Sequence, residues 1–473
     1  MKVALIHYHF RIGGVTKVIA NQSAALTQLG IEHLVLSAGP EPDGIPHASI
    51  LELDYLAKAP ENPNSLYQKL LATCIEHFGT APDLWHIHNP TLGKNILFPQ
   101  LIQDIAKSQT SLVLQPHDFA EDNRPSNYPL LTGESIYPLA PQIHYAFINS
   151  RDKGLLEQAG LPSAHSHLLP NAVAINDSAP STPNPHSEGH LVLYPVRGIR
   201  RKNLGEIVLL SALAPPDTKF AVSLSPENPH WQAIHNRWSE FAAQHHLPIQ
   251  LGVTNRLAPD KQTGRTYEDW LTHATHLITT SIAEGFGLAF LEPALHRRPL
   301  LGRNLPEITR DFEKHGIQPG RLYHHIPIPL SALDSHSLRE HLAKRLKEAS
   351  QQYSVPFEEQ MLEKAWEHLT DGDQVDFGNL PESFQEKLVC QHLNGKADFF
   401  LPLQQWLADT LLERSPTVSA EQLAAYDSKQ SQIQLAELYQ RAITAAPKPS
   451  TWIPKANILA QYLTPERFHF LRS

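Results

Sequence analysis

The segment Ser281-Ile-Ala-Glu284-Gly285-Phe286-Gly287-Leu288-Ala-Phe-Leu-Glu292 follows an apolar run at 276–280 and opens a stretch of helical character. These residue types, at this spacing, suit an anion. Gly285 and Gly287 let backbone approach a ligand closely, and the free amides and positive end of a following helix attract a diphosphate, with Phe286 and Leu288 completing the turn. Glu284 lies in the loop and Glu292 two turns into the helix, so one carboxylate reaches a sugar while the other reaches ribose hydroxyls. Such a loop alone is as often an ordinary strand-to-helix turn with two solvated glutamates.

A second segment shifts that balance. Tyr194-Pro-Val-Arg197-Gly-Ile-Arg-Arg-Lys202-Asn follows another apolar run and brackets a turn with Arg197 and Lys202. A guanidinium and an ammonium converging there clamp the two phosphates of a nucleoside diphosphate, although a basic turn is more often simply solvated. In the first half, Gly13-Gly14 turn the chain after residues 2–7, and His117-Asp118 come directly after an apolar run at 111–115. The loop from Gln115 to Tyr128 holds three acids, Arg124, Asn127 and Tyr128, and strand ends of this kind line ligand crevices. Asp118, Arg124 and Tyr128 are therefore candidates for a polar acceptor; a solvated loop is the bland alternative. His86 and His88 share one strand face and could share a metal, but no third ligand is evident and no metal is expected. Gly93-Lys94-Asn95 lacks the spacing and hydroxyl of a P-loop.

These residues need a scaffold of strands alternating with helices. Strands are expected at 2–7, 33–37, 84–88, 111–115 and 144–149, with helices at 15–29, 65–78, 94–107 and 150–159, which is the pattern of a parallel α/β sheet. A Pro-, Ser- and Asn-rich stretch then reads as a linker. A second series runs through 191–195, 219–224, 249–252, 276–280 and 299–302. From about 335 the strand signals vanish and helices are expected near 337–352, 358–368, 384–393, 401–413, 419–425 and 428–444. The divisions are 1–175, 176–189, 190–334 and a helical extension, 335–473, whose apolar end at 458–463 is expected to pack back on the first domain.

A chain of 473 residues with 41% hydrophobic and 18% charged residues is long enough for two globular domains. Its formal charge of -9 and lack of a basic run exclude a nucleic-acid-tracking surface. Two distant cysteines, Cys74 and Cys390, do not make a disulfide framework, and the first apolar run is too short for a leader or membrane span. A reducing, cytoplasmic setting is expected.

Over roughly residues 1–325 the chain resembles the retaining GT-B glycosyltransferases of the glycosyltransferase family 4 type. The resemblance is carried by Arg197 and Lys202 five apart, Glu284 and Glu292 eight apart around Glu-Gly-Phe-Gly-Leu, Pro306-Glu307-Ile308, and Leu169-Pro-Asn171-Ala-Val173, where Ala172 replaces the usual glycine. It implies two Rossmann-like domains facing a central cleft, with the extra helical region at 335–425 as a departure from a minimal member. It also implies transfer of a hexosyl group from a nucleotide-sugar co-substrate with retention, without metal or other cofactor. Arg197, Lys202, Glu284 and His117 would be catalytic, and Gly13, Gly14, Gly285, Phe286, Gly287, Leu288 and Glu292 would hold the donor. A nucleotide-sugar epimerase or hydrolase of the same fold, or a non-catalytic sugar-nucleotide-binding subunit, are the alternatives.

Overall fold

The run after Met1 becomes strand β1 (Lys2–His9), buried from Val3 to Tyr8. Its even residues Ala4, Ile6 and Tyr8 enter one core and its odd residues Val3 and Leu5 another. A strand covered on both faces needs no polar alternation, and this two-sided burial defines the first sheet. The computed structural model describes residues 1–11, 13–60, 65–133, 136–173, 189–254, 266–415 and 418–472. All of the expected linker except Gly189 lies outside them.

The chain divides into two units. The first holds α1 (Gly14–Gln28), β2 (Glu32–Ala38), β3 (His47–Ser49), α2 (Leu66–Phe78), β4 (Leu84–His88), α3 (Phe98–Lys107), β5 (Ser111–Gln115), β6 (Tyr137–Leu139), β7 (Ile143–Phe147), α4 (Ser150–Gln158) and β8 (Ser166–Leu168). Seven strands form one parallel sheet in the order β3-β2-β1-β4-β5-β7-β8. The order reverses between β1 and β4, which places a ligand crevice at their carboxyl ends. The helix expected at 94–107 begins only at Phe98, because Gly93–Asn95 are held as loop by contacts described below.

The second unit carries β9 (His190–Arg197), α5 (Leu204–Leu213), β10 (Thr218–Leu224), α6 (Pro229–Gln244), β11 (Ile249–Thr254), α7 (Tyr267–His273), β12 (His276–Thr279), α8 (Leu288–Leu295), β13 (Leu300–Arg303), α9 (Pro306–Glu313) and β14 (Arg321–Tyr323). Its parallel sheet runs β11-β10-β9-β12-β13-β14, with the reversal between β9 and β12.

The region beyond 335 is not one appended block. Short strands β15 (Pro327–Pro329), β16 (Thr370–Asp371) and β17 (Gln374–Asp376) form a small antiparallel sheet, too brief to show periodicity. Helices α10 (Ser335–Gln352), α11 (Glu359–Leu369), α12 (Glu382–Leu393) and α13 (Leu401–Leu411) put Leu338, Leu342, Phe384, Leu388 and Leu407 into the core beneath Val192, Ile278 and Leu301. They cover a sheet face of the second unit. After the short helix α14 (Ala420–Leu423), residues 424–464 belong to the first unit, as do 349–355. There α15 (Ser428–Thr444) buries Leu435, Leu438, Tyr439 and Ala442 against Val3, Leu5 and Val113. After it, β18 (Thr451–Ile453) pairs with β6, and α16 (Lys455–Tyr462) buries Ile458 and Tyr462 in the opposite core. Among the described residues no helix is long and apolar enough to cross a membrane.

The face of α15 gives a test. Leu435, 0% exposed, is expected to cost about 2–5 kcal/mol of stability when changed to Ala. Ile433→Ala, at a site 45% exposed, should cost under about 0.5 kcal/mol. Urea unfolding of both variants checks this, and equal losses would refute the buried face.

Candidate active site

Because β9 and β12 are hydrogen-bonded neighbours, with Val192 opposite His276 and Leu193 opposite Leu277, the loops leaving their carboxyl ends emerge side by side. The first is a 3-10 turn, Arg200–Lys202, and the second is Ser281–Gly287. Thr280 Oγ1 donates to the Lys202 carbonyl at 2.9 Å, Ile282 N to the Arg201 carbonyl at 3.0 Å, and Arg201 Nη1 to the Ala283 carbonyl at 2.7 Å. The loops are thus one structure.

At its centre the buried Lys202 ammonium meets the Glu284 carboxylate. Arg201 adds a second cation at 3.3 Å, and Ser281 Oγ donates to Glu284 Oε1 at 2.6 Å while the Tyr194 hydroxyl contacts Ser281 Oγ at 2.5 Å. Burial by itself would raise the Glu284 carboxyl, but Lys202 and Arg201 outweigh it and hold it at about 2. Burial lowers Lys202 to about 8 even though Glu284 opposes the change. Glu292, on the second turn of α8, also lies close enough to raise Lys202, so both glutamates act on one ammonium.

A buried network holds the lysine turn. Asn203, in the left-handed region at φ 50°, donates from Nδ2 to Glu206 Oε2 at 2.7 Å and accepts from Gln385 Nε2 at 3.0 Å. Glu206 also accepts from Arg303 Nε at 2.8 Å and from the Tyr323 hydroxyl at 2.7 Å, while Arg303 Nη1 reaches Asp376 at 2.7 Å. Arg200 is held by Glu382 at 2.6 and 2.9 Å. Asp376, Glu382 and Gln385 all come from the region to which sequence reasoning gave no role.

The glycine loop has a steric reason. Gly287 caps α8 at φ 86°, and a Cβ there would lie 2.5 Å from Ile308 Cγ2, so both conformation and space select glycine. Ile308 sits in α9, opened by Pro306, while Glu307 pairs with Arg467 at 2.8 Å. Phe286 packs edge-on against Phe312 and Leu288 is exposed. Arg197, at the end of β9, is 46% exposed and pairs with Glu227 at 2.7 Å. Arg201, overlooked in the sequence, is the second cation on Glu284. In a turn of three consecutive cations only the backbone path decides which side chain points inward.

In the first unit, Gly13 precedes α1 with extended backbone and Gly14 is its first residue, with no acid in the first turn. A Cβ at Gly14 would meet nothing within 4 Å, so space among its described neighbours does not impose glycine. His117 is buried beyond β5; Asn89 Oδ1 accepts from the backbone N of both His117 and Asp118 at 2.9 Å. His117 Nε2 lies 3.1 Å from His88 Nδ1, and His88 stacks on His86, whose Nδ1 contacts the Tyr439 hydroxyl at 2.7 Å. Burial lowers His117 to about 4, which keeps its imidazole neutral at neutral pH. Among the described residues no group of three or more His, Cys, Asp or Glu side chains is arranged to hold a metal.

Of the proposed acceptor residues, Asp118 and Arg124 are engaged with each other inside their own loop, and Tyr128 packs against residues outside it. Arg124 pairs with Asp118 and donates to the carbonyls of Phe119 and Asp122 at 3.1 and 3.2 Å. Its backbone N donates to the Tyr353 hydroxyl at 2.8 Å, which in turn donates to the Ala120 carbonyl at 2.8 Å. Tyr128 packs on Tyr353, with Lys455 Nζ 4.7 Å from its ring. Arg124 and Tyr128 therefore hold this loop in shape.

Two α/β units, each with a parallel sheet and one strand-order reversal, match the GT-B fold. Sucrose-phosphate synthase of Thermosynechococcus elongatus superposes with a TM-score of 0.50 at 14% identity, covering 94% of this chain and 100% of that one. HepE of Anabaena, solved in complex with UDP-glucose, gives 0.51 at 14%, covering 93% and 99%. In sequence, mannosylglucosyl-3-phosphoglycerate synthase of Petrotoga mobilis is 23% identical over 471 residues, 90% of this chain and 89% of that protein. No protein-family model matches the chain.

The ion pair predicts its own titration. In Glu284→Gln the anion that raises Lys202 is gone while burial and Arg201 still lower it, so the ammonium should titrate below about 8. NMR of labelled lysine reads this directly; an unmoved titration would count against the pairing.

Proposed function

We propose that the protein is a retaining glycosyltransferase that moves a hexosyl group from a nucleoside-diphosphate sugar to a polar, soluble acceptor in the cytoplasm, without a metal. The observation that carries this reading is the buried Lys202–Glu284 pair beside Arg201 at the strand-order reversal of the second sheet. Cations fixed in a water-poor loop stabilise charge that grows on a leaving diphosphate. The likeness to HepE, a protein solved with UDP-glucose, and to mannosylglucosyl-3-phosphoglycerate synthase supports the same chemistry.

In this mechanism the bond from the anomeric carbon to the diphosphate oxygen breaks and the acceptor oxygen bonds to the same carbon from the same face. The acceptor's hydroxyl proton passes to the departing diphosphate, so no protein nucleophile takes part. Lys202, Arg201 and the amides of Gly285–Gly287 stabilise the leaving group, with Arg197 available once it releases Glu227. Glu284 orients sugar hydroxyls and Glu292 the ribose. Neutral His117 exchanges a hydrogen bond with the sugar, and Gly13-Gly14 present backbone amides to the phosphates.

Detection of a glycosylated product from a panel of nucleotide sugars and acceptors tests the reading; donor hydrolysis alone would favour a hydrolase. Lys202→Ala should lower kcat/KM by about 100-fold or more, on the scale of losing one transition-state donor, and a Tm measured on the same variant separates this loss from the cost of leaving Glu284 buried without its partner. Turnover within a few-fold of wild type would defeat it. Since burial lowers Lys202 to about 8, kcat/KM should fall as pH rises through 8 and the cation is lost. Lys202→Arg should move that fall to higher pH. Turnover is also expected to persist after exhaustive chelation; loss with rescue by a divalent ion would contradict metal independence.

A further inference from the structure

Gly93-Lys94-Asn95 leaves β4 at the strand-order reversal of the first sheet and is more tightly built than a connecting loop requires. Gly93 has φ 65°, and a Cβ there would lie 2.4 Å from the Asn127 carbonyl oxygen. Asn127 Nδ2 in turn donates to the Leu92 carbonyl at 3.0 Å. Asn95 is buried and bonded at both ends of its amide: Nδ2 donates to the carbonyls of Glu52 and Asp54 at 2.8 and 2.6 Å, and Oδ1 accepts from Leu97 N at 2.8 Å. Leu56 N donates to the Lys94 carbonyl at 2.9 Å. Lys94 is pinned from both sides.

What this arrangement presents is a cation above an aromatic ring. Lys94 Nζ lies 5.7 Å from the centre of Tyr55, which is 49% exposed and backed by Tyr8 and His9 at 5.5 and 4.9 Å. Arg11 approaches the same ring at 5.6 Å, but Asp54 neutralises it through two bonds of 2.8 and 2.6 Å. Arg124 is likewise matched by Asp118. Among the described residues Lys94 makes no ion pair. Burial draws its ammonium below the usual lysine range and the nearby Arg124 charge adds to that effect, while Asp118, next to His117, lies close enough to act on Tyr55. A partly buried cation without a carboxylate, at the carboxyl edge of a parallel sheet, is matched by an anionic ligand.

We propose that Lys94 and Tyr55 form an acceptor subsite for a hydroxylated compound bearing a phosphate or carboxylate, with the anionic group on Lys94 and the carbon skeleton over the Tyr55 ring. This rests on the glycosyl-transfer reading for the word acceptor, and on the first unit alone for the subsite.

Calorimetric titration of the full chain with glycerol 3-phosphate, glycerate and glycerol separates the two anions from the neutral skeleton. Binding of at least one anionic probe, weakened by salt, is expected, with none for glycerol. Lys94→Met should weaken that binding about tenfold or more, Lys94→Arg should retain most of it, and Tyr55→Ala should weaken it less than Lys94→Met. UDP binding should be unchanged in Lys94→Met at unchanged Tm. Equal anion affinity in wild type and Lys94→Met, binding of neither anion, or loss of anion binding in Lys202→Ala with none in Lys94→Met would overturn the subsite. Failure of UDP to bind the wild-type chain, with the Lys94 effects intact, would instead defeat the transferase reading and leave the subsite standing.

Discussion

Arg303, at the end of β13, shares its donors among Glu206 on α5, Asp376 on β17 and the His324 carbonyl, with 5% of its side chain exposed. Removing a guanidinium and two carboxylates from water costs on the order of several kcal/mol for each ion, so the cluster is weak evidence for net stability. Its consequence is geometric. Arg303 and the Tyr323 hydroxyl together orient Glu206 to accept from Asn203, which forms the turn that carries Lys202. Asp376, through Ile326 N at 2.8 Å, ties in the segment that leads to the helical cover. The helices beyond 335 are therefore part of the support of the Lys202 turn, a role strengthened by Gln385 on Asn203 and Glu382 on Arg200.

The Lys202–Glu284 pair illustrates why that support matters. Each partner is kept charged by the other against burial, and each has a chemical alternative: the ammonium can turn to a diphosphate, the carboxylate to sugar hydroxyls. A donor sugar offers both at once, so under the proposed function it substitutes for the internal pair without leaving an unsatisfied buried charge. Such an exchange needs the two loops to stay in place, which the cross-loop bonds from Thr280, Ile282 and Arg201 ensure.

Much of this was legible in the sequence because strong local rules governed it. The buried strands β4 and β5 and helix α15 coincide with their expected limits, the strands as short runs buried throughout and the helix because Leu435, Leu438, Tyr439 and Ala442 recur at helical spacing after the Asp427 cap. Strands of three residues such as β3, β6 and β14 carry no period to read. The glycine loop was legible for a local reason, whereas the inward turn of Arg201 depends on backbone and the partnership of Arg303 with Asp376 spans elements distant in sequence. Lys94 was set aside on motif spacing, but its constraint comes from Asn127 and Asp54, which no local motif includes.

The two units solve the positioning problem with the same residue. Asn89 follows β4 at φ 54° and Asn203 precedes α5 at φ 50°, each beside the strand-order reversal of its sheet. Asparagine enters this left-handed region at less cost than most L-residues, and its short amide can bond locally. Asn89 uses its oxygen to collect the backbone N–H groups of His117 and Asp118; Asn203 uses both ends of its amide, on Glu206 and Gln385. A glycine would supply the backbone angle but leave those partners unbonded in the interior, and a larger residue would supply neither. One asparagine in each unit thus fixes backbone beside a candidate functional side chain, Asn89 at His117 and Asn203 at Lys202.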